Sequence, residues 1–210
     1  MELLPLFPLK LVVFPGENLN LHIFEPRYKQ LISEVENDGI EFGIPPYIND
    51  KLMPVGTVME LIKVEKRYPN GELDIKTKGK GLFEIHEFIP KAPDKLYSAG
   101  KIEMIKNHPA GEKELSEIII GHIKKLYVAM EIKRPAPDNP DTFQTFTVGH
   151  HVGFNLEQEY QMLTISDERK RQEFMLNHLE KLIPIVVEME ALRKKAQMNG
   201  HFKNLPPLIN

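Results

Sequence analysis

The chain has 210 residues and a net charge of −3, with 27 basic and 30 acidic side chains. This length is enough for a substantial hydrophobic core in one large or two small domains. The absence of cysteine excludes disulfides, thiolate zinc sites and cysteine nucleophiles, and the balanced charge argues against a nucleic-acid partner. Prolines interrupt the apolar N-terminus, and no apolar run reaches the roughly 18 residues of a membrane span. We therefore expect a cytoplasmic protein with no membrane contact.

The first half of the chain has the patterns of short β-strands. We expect strands near residues 3–7, 18–23, 40–44, 82–89 and 97–105. Asn70-Gly71, between two alternating runs, is a strong signal for a hairpin turn. With one helix at about 26–37, these strands predict a small, strongly bent sheet or partly closed barrel over residues 1–110.

The segment LNLHIFEPRYKQL, residues 19–31, changes from a strand pattern to a helix pattern. Pro26 suits the first helical turn, because its missing N–H would have no partner there. Glu25 and Arg27 are compatible with three roles, namely a catalytic pair, a ligand site and a structural hinge. An ion pair at the first turn is the simplest interpretation, and Glu25 also suits the positive end of the helix dipole.

The second half of the chain, residues 111–210, predicts a bundle of α-helices. An apolar stripe at helical spacing indicates a helix over residues 112–133, and a second helix is expected at about 141–153. Asn155 and Gln158 have the spacing of a capping box, which predicts a short helix directly after the asparagine.

A long final helix is predicted from Ser166 or Asp167 to about Met198. Pro184 lies inside this helix and should kink it, because proline removes one backbone donor and crowds the preceding turn. The tail, residues 201–210, carries large apolar residues that include Phe202, Leu205 and Leu208. We expect the tail to pack on its own chain, since a solvated end needs fewer apolar side chains.

Motifs for nucleotide-driven or metal-dependent chemistry are missing from the sequence. There is no GxxxxGK[ST] phosphate loop and no GxGxxG dinucleotide fingerprint. His150 and His151 are adjacent, but neighbouring helical residues point about 100° apart, and no HExxH accompanies them. Each serine has a simpler role, on a helix, on a strand or as a cap, than that of an activated nucleophile. We therefore predict no catalytic residue, no metal and no cofactor.

Four segments carry a resemblance to a known family. They are LPLFPLKLVVFPGENLNLHIFEPRY at 4–28, EFGIP at 41–45, VGTVMELIKVEKRYPNGELDIKTKGKGLFEI at 55–85, and the helical HLEKLIPIVVEMEALRK. Together they resemble the N-terminal, substrate-binding domain of the Lon protease, and more closely the stand-alone bacterial proteins that consist of that domain. The resemblance implies an α+β fold, in which a PUA-like pseudo-barrel with one helix is followed by an α-helical bundle with a long final helix. It also implies binding of unfolded or damaged polypeptide.

The sequence departs from the family pattern at three points. Asn20 replaces a proline in the usual LPLHIFEPRY, and Lys80-Gly81-Leu82-Phe83 replaces a more basic Gly-Glu-Arg-Arg-Phe segment. The ATPase and Ser–Lys peptidase domains of the full protease have no counterpart in these 210 residues. The resemblance therefore does not imply the activity of the protease.

The leading hypothesis for function is a non-enzymatic polypeptide-binding module with an adaptor or protein quality-control role. Exposed apolar and aromatic side chains would carry such binding, and the candidates are Phe24, Tyr28, Phe42 and Tyr47. We also expect Phe24 and Tyr28 to pack the first helix onto the sheet. The expected partners are unfolded or apolar polypeptide segments, with a protease or a chaperone as a further partner. The alternatives are a small-molecule or RNA-binding PUA-like module and a hydrolase without a recognisable motif.

Overall fold

The computed structural model of the protein describes the backbone of residues 2–202 and the side chains of residues 2–196. The chain divides into two compact units. Unit 1 comprises Met1–Ala110 and Gln144–Glu168, and unit 2 comprises Gly111–Phe143 and Arg169–Asn210. The predicted α+β class is confirmed, with a β-rich N-terminal part and a long C-terminal helix. The division into domains at residue 110 stays a prediction, and the structure groups residues 144–168 with the β-rich unit.

Eight strands and two α-helices belong to unit 1. The strands are β1 (Glu2–Leu6), β2 (Asn18–Ile23), β3 (Phe42–Ile44), β4 (Tyr47–Ile48), β5 (Lys51–Leu52), β6 (Val55–Arg67), β7 (Leu73–Ile89) and β8 (Ser98–Ile105). The helices are α1 (Pro26–Asp38) and α3 (Leu156–Thr164). Unit 2 contains α2 (Lys113–Ala129) and most of α4 (Glu168–Phe202).

Strand β7 organises the main sheet, whose order is β2-β7-β6-β3-β1-β8. It is 17 residues long, and its second half turns back to pair with β8, which closes β7, β6, β3, β1 and β8 into a ring. Strand β2 stays outside this ring and pairs only with β7 among the described strands. The predicted barrel is therefore present, while its PUA-like character stays a prediction.

Two glycines explain why β7 is continuous although separate strands were expected on either side of residue 80. A Cβ at Gly79 would lie 2.6 Å from the Phe14 carbonyl oxygen, so only glycine lets the two backbones approach this closely. Gly81 follows two residues later, and the register between β6 and β7 shifts between Val58 and Met59 at this level. Such irregularities bend a strand without ending it. The predicted turn at Asn70-Gly71 is confirmed, and Gly71 has φ 77°.

Helix α1 follows its local signals. Pro26 occupies the first turn, and four residues at helical spacing face the core, namely Tyr28, Leu31, Ile32 and Val35. The helix ends at Gly39, which has φ 66° and donates its N–H to the Val35 carbonyl at 3.1 Å. This buried face packs against the apolar residues of the sheet in one cluster.

The helix predicted at 141–153 is wrong. Two short 3₁₀ turns, Thr145–Thr147 and Gly149–His151, take its place. A Cβ at Gly149 would lie 2.5 Å from atoms of Phe14 and Met162, so tertiary packing fixes this backbone position. The capping box is confirmed, because the side chain of Asn155 accepts from the Gln158 N–H at 2.9 Å and the reciprocal bond is also 2.9 Å.

Unit 2 is held by the first turns of α2 and α4. Gln172 is fully buried, and its side chain accepts from the Glu112 N–H at 2.8 Å and donates to Ser116 Oγ at 2.8 Å. Helix α2 ends at Ala129, before the predicted Lys133, because Glu131 has φ 53°, which a right-handed helix cannot contain.

Helix α4 has 35 residues and continues to Phe202, beyond its predicted end at Met198. Pro184 lies inside it, and the bend expected there stays a prediction. The predicted packing of the Phe202, Leu205 and Leu208 side chains lies outside the residues whose side chains are described. Within the described chain, no helix combines the length and hydropathy needed to cross a membrane.

Candidate functional site

The junction of β2 and α1 is built around a local ion pair. Arg27 Nη2 lies 2.7 Å from Glu25 Oε2, and Arg27 Nε donates to the same oxygen at 3.0 Å. The Glu25 carbonyl accepts from the N–H groups of Tyr28 and Lys29 and so begins the helix. This arrangement closes the first turn around Pro26 and leaves the Glu25 carboxylate engaged by its own neighbour.

The two aromatic residues of the junction have opposite environments. Phe24 is 59% exposed, so the expectation that it packs α1 onto the sheet is wrong. Tyr28 is buried, and its ring stacks on Phe7 with centroids 3.7 Å apart. Arg27 covers the Tyr28 ring at 4.5 Å, and burial raises the pKa of the Tyr28 hydroxyl. Of these two aromatic residues, only Phe24 is therefore open to a binding partner.

The other two predicted binding residues also differ. Phe42 is fully buried in the core of unit 1, and its position at the start of β3 makes it a packing residue without a free surface. Tyr47 is partly exposed and lines a cleft of about 560 Å³ beside the β4–β5 turn. Charged residues such as Lys10 and Asp50 share this cleft, and Asn49 donates to Glu157 at 2.6 Å along its wall. The cleft is polar.

A second concave surface in unit 1 is apolar. This apolar groove has a volume of about 450 Å³ and is lined by residues of β1, of the segment before β3, of the loop before β8 and of β8 itself. The apolar lining residues are Leu3, Leu4, Pro5, Ile40, Ala92, Pro93, Tyr97 and Ala99, and the charged ones are Glu2, Glu41 and Lys95. Strands β1 and β3 pair only at Leu6 and Gly43. The preceding residues of both segments lack this pairing, and the groove lies between them.

Leu3 and Ile40 are large apolar residues of the groove that remain exposed, with exposed fractions of 55% and 36%. Two of the three charged lining residues are engaged in ion pairs, because Glu41 lies 2.6 Å from Lys80 and Lys95 lies 2.8 Å from Glu34. The groove therefore favours apolar ligands over charged ones.

An exposed aromatic cluster surrounds Phe24. The His22 ring lies 6.1 Å from the Phe24 ring and 5.7 Å, edge-on, from the Tyr68 ring. His22 is held between two carboxylates, with Nδ1 2.7 Å from Asp74 Oδ1 and Nε2 3.2 Å from Glu72 Oε2. The hydrogen bond to Asp74 raises the pKa of His22, and the same bond lowers the pKa of Asp74.

His150 has a similar pair of partners but less solvent. Its Nδ1 lies 2.7 Å from Glu159 Oε1 and its Nε2 lies 3.0 Å from Glu17 Oε2, while its ring packs 4.6 Å from the Phe14 ring. Burial lowers the pKa of His150, but the hydrogen bonds and charges of Glu159 and Glu17 outweigh burial and raise it to about 9. The sequence pattern around His150 does not indicate this arrangement, because Glu17 is 133 residues away in the chain.

Three of the four serines form hydrogen bonds with a structural role. Ser98 donates to the Leu6 carbonyl at 3.2 Å and Ser116 donates to the Glu112 carbonyl at 3.1 Å. Ser33 accepts from Asn37 on the surface of α1. Among the described residues, no group of three or more histidine, aspartate or glutamate side chains is arranged to hold a metal ion.

Comparison with known proteins relates both the sequence and the fold to one family. The model of the ATP-dependent protease La (LON) substrate-binding domain matches residues 3–181. No curated protein matches the chain. The crystal structure of a Lon N-terminal domain protein from Xanthomonas campestris is similar, with a TM-score of 0.67 and 18% identity, covering 84% of this chain and 98% of that one. The N-terminal domain of the Mycobacterium avium complex Lon protease has a TM-score of 0.60 and 15% identity, covering 85% and 98%.

These matches agree with the architecture described above. At these identities, the two solved structures establish a shared fold. The family model adds the sequence evidence, since its match spans most of the 210 residues. The chain therefore belongs to the family of the ATP-dependent protease La (LON) substrate-binding domain.

Proposed function

We propose that the protein is a non-catalytic, cytoplasmic module that binds extended apolar segments of unfolded polypeptides, as an adaptor or in protein quality control. The observation that carries this proposal is the apolar groove, in which the exposed side chains of Leu3 and Ile40 lie beside further apolar residues in one concave surface. Family membership supports a substrate-binding role. A protease or chaperone would be the further partner to which bound chains are passed.

The chemistry of the groove favours apolar polypeptide over a charged ligand. Burying one leucine side chain contributes about 1.5–3 kcal/mol, so Leu3 and Ile40 together supply enough for a weak, reversible contact. The ion pairs of Glu41 and Lys95 leave little charge to select an ionic ligand. Weak apolar contact suits a protein that accepts many sequences and releases them.

Phe24 and Tyr47 remain candidates for additional contacts, since both have exposed surface. Phe24 offers a large apolar ring beside His22 and Tyr68, and aromatic side chains dominate many binding surfaces. Tyr47 lines a polar cleft and would contribute a hydroxyl. Neither residue is needed for the fold contacts described above.

A matched pair of variants tests the role of the groove. Leu3→Lys places a charge in the groove, and Ile62→Lys places the same charge on β6 outside it, where the isoleucine is 47% exposed. With fluorescently labelled unfolded casein as the probe, we expect Leu3→Lys to weaken binding about tenfold, since about 1.4 kcal/mol is lost. Ile62→Lys should bind like the wild type. Equal binding by both variants, or no binding by the wild type, would contradict the proposal.

A further inference from the structure

Strand β2 has one open edge. It pairs with β7 over all six residues, from Asn18 opposite Lys78 to Ile23 opposite Leu73, without a register shift. No other described strand pairs with it. Its second edge therefore presents main-chain N–H and C=O groups that no strand of the described residues pairs with.

The residues that face this edge follow from the ladder. The Gly79 N–H donates to the Glu17 carbonyl at 2.8 Å, so the main chain of Glu17 is directed at β7. In an antiparallel pair, successive residues alternate in direction. Counting forward by twos from Glu17 directs Leu19 and Leu21 at β7, while Asn18, Asn20 and His22 direct their N–H and C=O groups outward.

The open edge lacks the usual protection of an exposed strand. Edge strands are commonly blocked by proline, lysine, an inward charge or a bulge. Strand β2, NLNLHI, contains no proline and no lysine, aspartate or glutamate. Asn20 in particular supplies an outward N–H at the centre of the edge. Such an edge is a ready template for another extended chain.

The side chains on both faces of β2 would meet a strand added at this edge. Leu19 and Leu21 are only partly buried at the border of the core, and Phe24 extends the apolar surface beyond the end of the strand. The nearby carboxylates of Glu72 and Asp74 are engaged by His22. The edge is therefore complementary to an extended segment that is uncharged and carries apolar residues at alternate positions.

We propose that β2 is a second polypeptide-binding site, at which an uncharged, extended segment of an unfolded chain adds as a strand beside Asn18, Asn20 and His22. This inference rests on the proposed function, but it uses a different surface and a different kind of contact. The apolar groove selects side chains, whereas the β2 edge binds the main chain. Main-chain bonding depends little on sequence, and this suits a partner defined only by being unfolded.

The sharpest variant is Asn20→Pro. Proline at this position removes the outward N–H and places a ring at the edge, while the bonds of Leu19 and Leu21 to β7 are kept. The matched control is Asn20→Thr, which changes the same side chain and keeps the N–H. The probe is an eight-residue peptide of alternating valine and threonine, and its control is the same peptide with all backbone nitrogens methylated, so that neither edge can donate a main-chain hydrogen bond.

We expect Asn20→Pro to weaken binding of the peptide about tenfold, because the variant loses one main-chain hydrogen bond and the proline ring keeps the peptide backbone away from the edge. Asn20→Thr should bind like the wild type, the methylated peptide should bind to none of the proteins, and both variants should melt like the wild type. Hydrogen exchange should show new protection of the Asn18, Asn20 and His22 amides when the peptide is added.

Three results would overturn the inference. If Asn20→Pro binds the peptide as well as Asn20→Thr does, strand addition is wrong, while the groove proposal still stands on its own casein test. If the edge amides are protected without peptide and in proportion to protein concentration, the occupant is a second copy of the chain. If the wild type binds neither casein nor peptide, both the proposed function and this inference fail.

Discussion

The closed ring of unit 1 and the β2–α1 junction outside it both contain phenylalanine side chains, but these side chains differ in burial. In the ring, Phe83 is fully buried and its side chain fills the space left by two glycines, Gly43 and Gly56. At the junction, Phe24 projects into solvent. Burial against the sheet, more than residue type, therefore decides which aromatic side chains stabilise the fold and which are free to bind, and the junction itself contains one of each, the buried Tyr28 and the exposed Phe24.

The largest effect is expected inside the ring. Phe83→Ala removes a ring that packs directly on the backbone of Gly43 and Gly56, where a Cβ would lie only 2.6–2.7 Å from it. Because these glycines have no side chain that could move into the space, the substitution leaves a cavity. We expect a loss of about 3–5 kcal/mol in the free energy of unfolding. Urea unfolding at neutral pH measures it. A loss below about 1 kcal/mol would mean that the ring tolerates cavities and that the contrast with the junction is false.

His150 is intermediate in burial between Phe83 in the ring and Phe24 at the junction, because its side chain is 29% exposed. One of its two carboxylate partners is Glu17, which immediately precedes β2. The pKa of His150 is raised from 6.5 to about 9. A raised pKa means that the cluster stabilises the protein fully below about pH 6.5 and loses this contribution as the pH rises through about 9.

We therefore expect His150→Gln to destabilise the protein by about 1–2 kcal/mol at pH 6, after discounting for solvent screening. The difference from the wild type should nearly vanish above pH 9.5. Urea unfolding of both proteins across this range gives the difference directly. A difference that is independent of pH would show that the ring packing of His150, and not its charge, supplies the stability.

The ion pair at the start of α1 is expected to contribute little. Arg27 and Glu25 have side chains that are 50% and 38% exposed, and exposed pairs contribute about 0–1 kcal/mol. Arg27→Ala also removes the cation above Tyr28, so we expect about 0.5–1 kcal/mol in total. Thermal melting at low and high salt separates the two parts. A loss above about 2 kcal/mol would show that the Arg27–Glu25 pair contributes as much as a buried side chain does.

The smallest effect is expected at Phe24. Because the ring is mostly in solvent, Phe24→Ala should change the free energy of unfolding by less than about 0.5 kcal/mol. The same variant should bind unfolded casein less tightly if Phe24 extends the binding surface. Tyr28→Ala is the control, since the neighbouring aromatic is buried and should cost about 3–5 kcal/mol.

Local signals predicted the parts of the fold that local contacts determine. The Asn70-Gly71 turn, the first turn of α1 and the capping box at Asn155 each satisfy their hydrogen bonds within a few residues. The failed helix at 141–153 has an adequate apolar pattern. However, Gly149 is held against Phe14, from the other end of the chain, and no window of sequence contains that contact.

The site was harder to predict than the fold. Phe24 and Phe42 are the same residue type, and each has an isoleucine and a glutamate close by in the sequence. Their sequence neighbours therefore do not indicate that Phe24 faces solvent while Phe42, in a strand of the ring, is buried. The groove depends on β1 and β3 pairing at a single pair of residues. The sequence contains the apolar residues of the groove, but the gap between the two segments is a property of the sheet.

The pairing of β1 with β8 also constrains the order of folding. Glu2–Leu6 pairs over its whole length with residues Ser98–Ile102, which are made last among the strands. During synthesis at about 5–20 residues per second, β1 must wait roughly 5–20 seconds before its main partner leaves the ribosome. Throughout that interval the first leucines of the chain are exposed, so the newborn protein itself presents the kind of apolar, extended segment that it is proposed to bind.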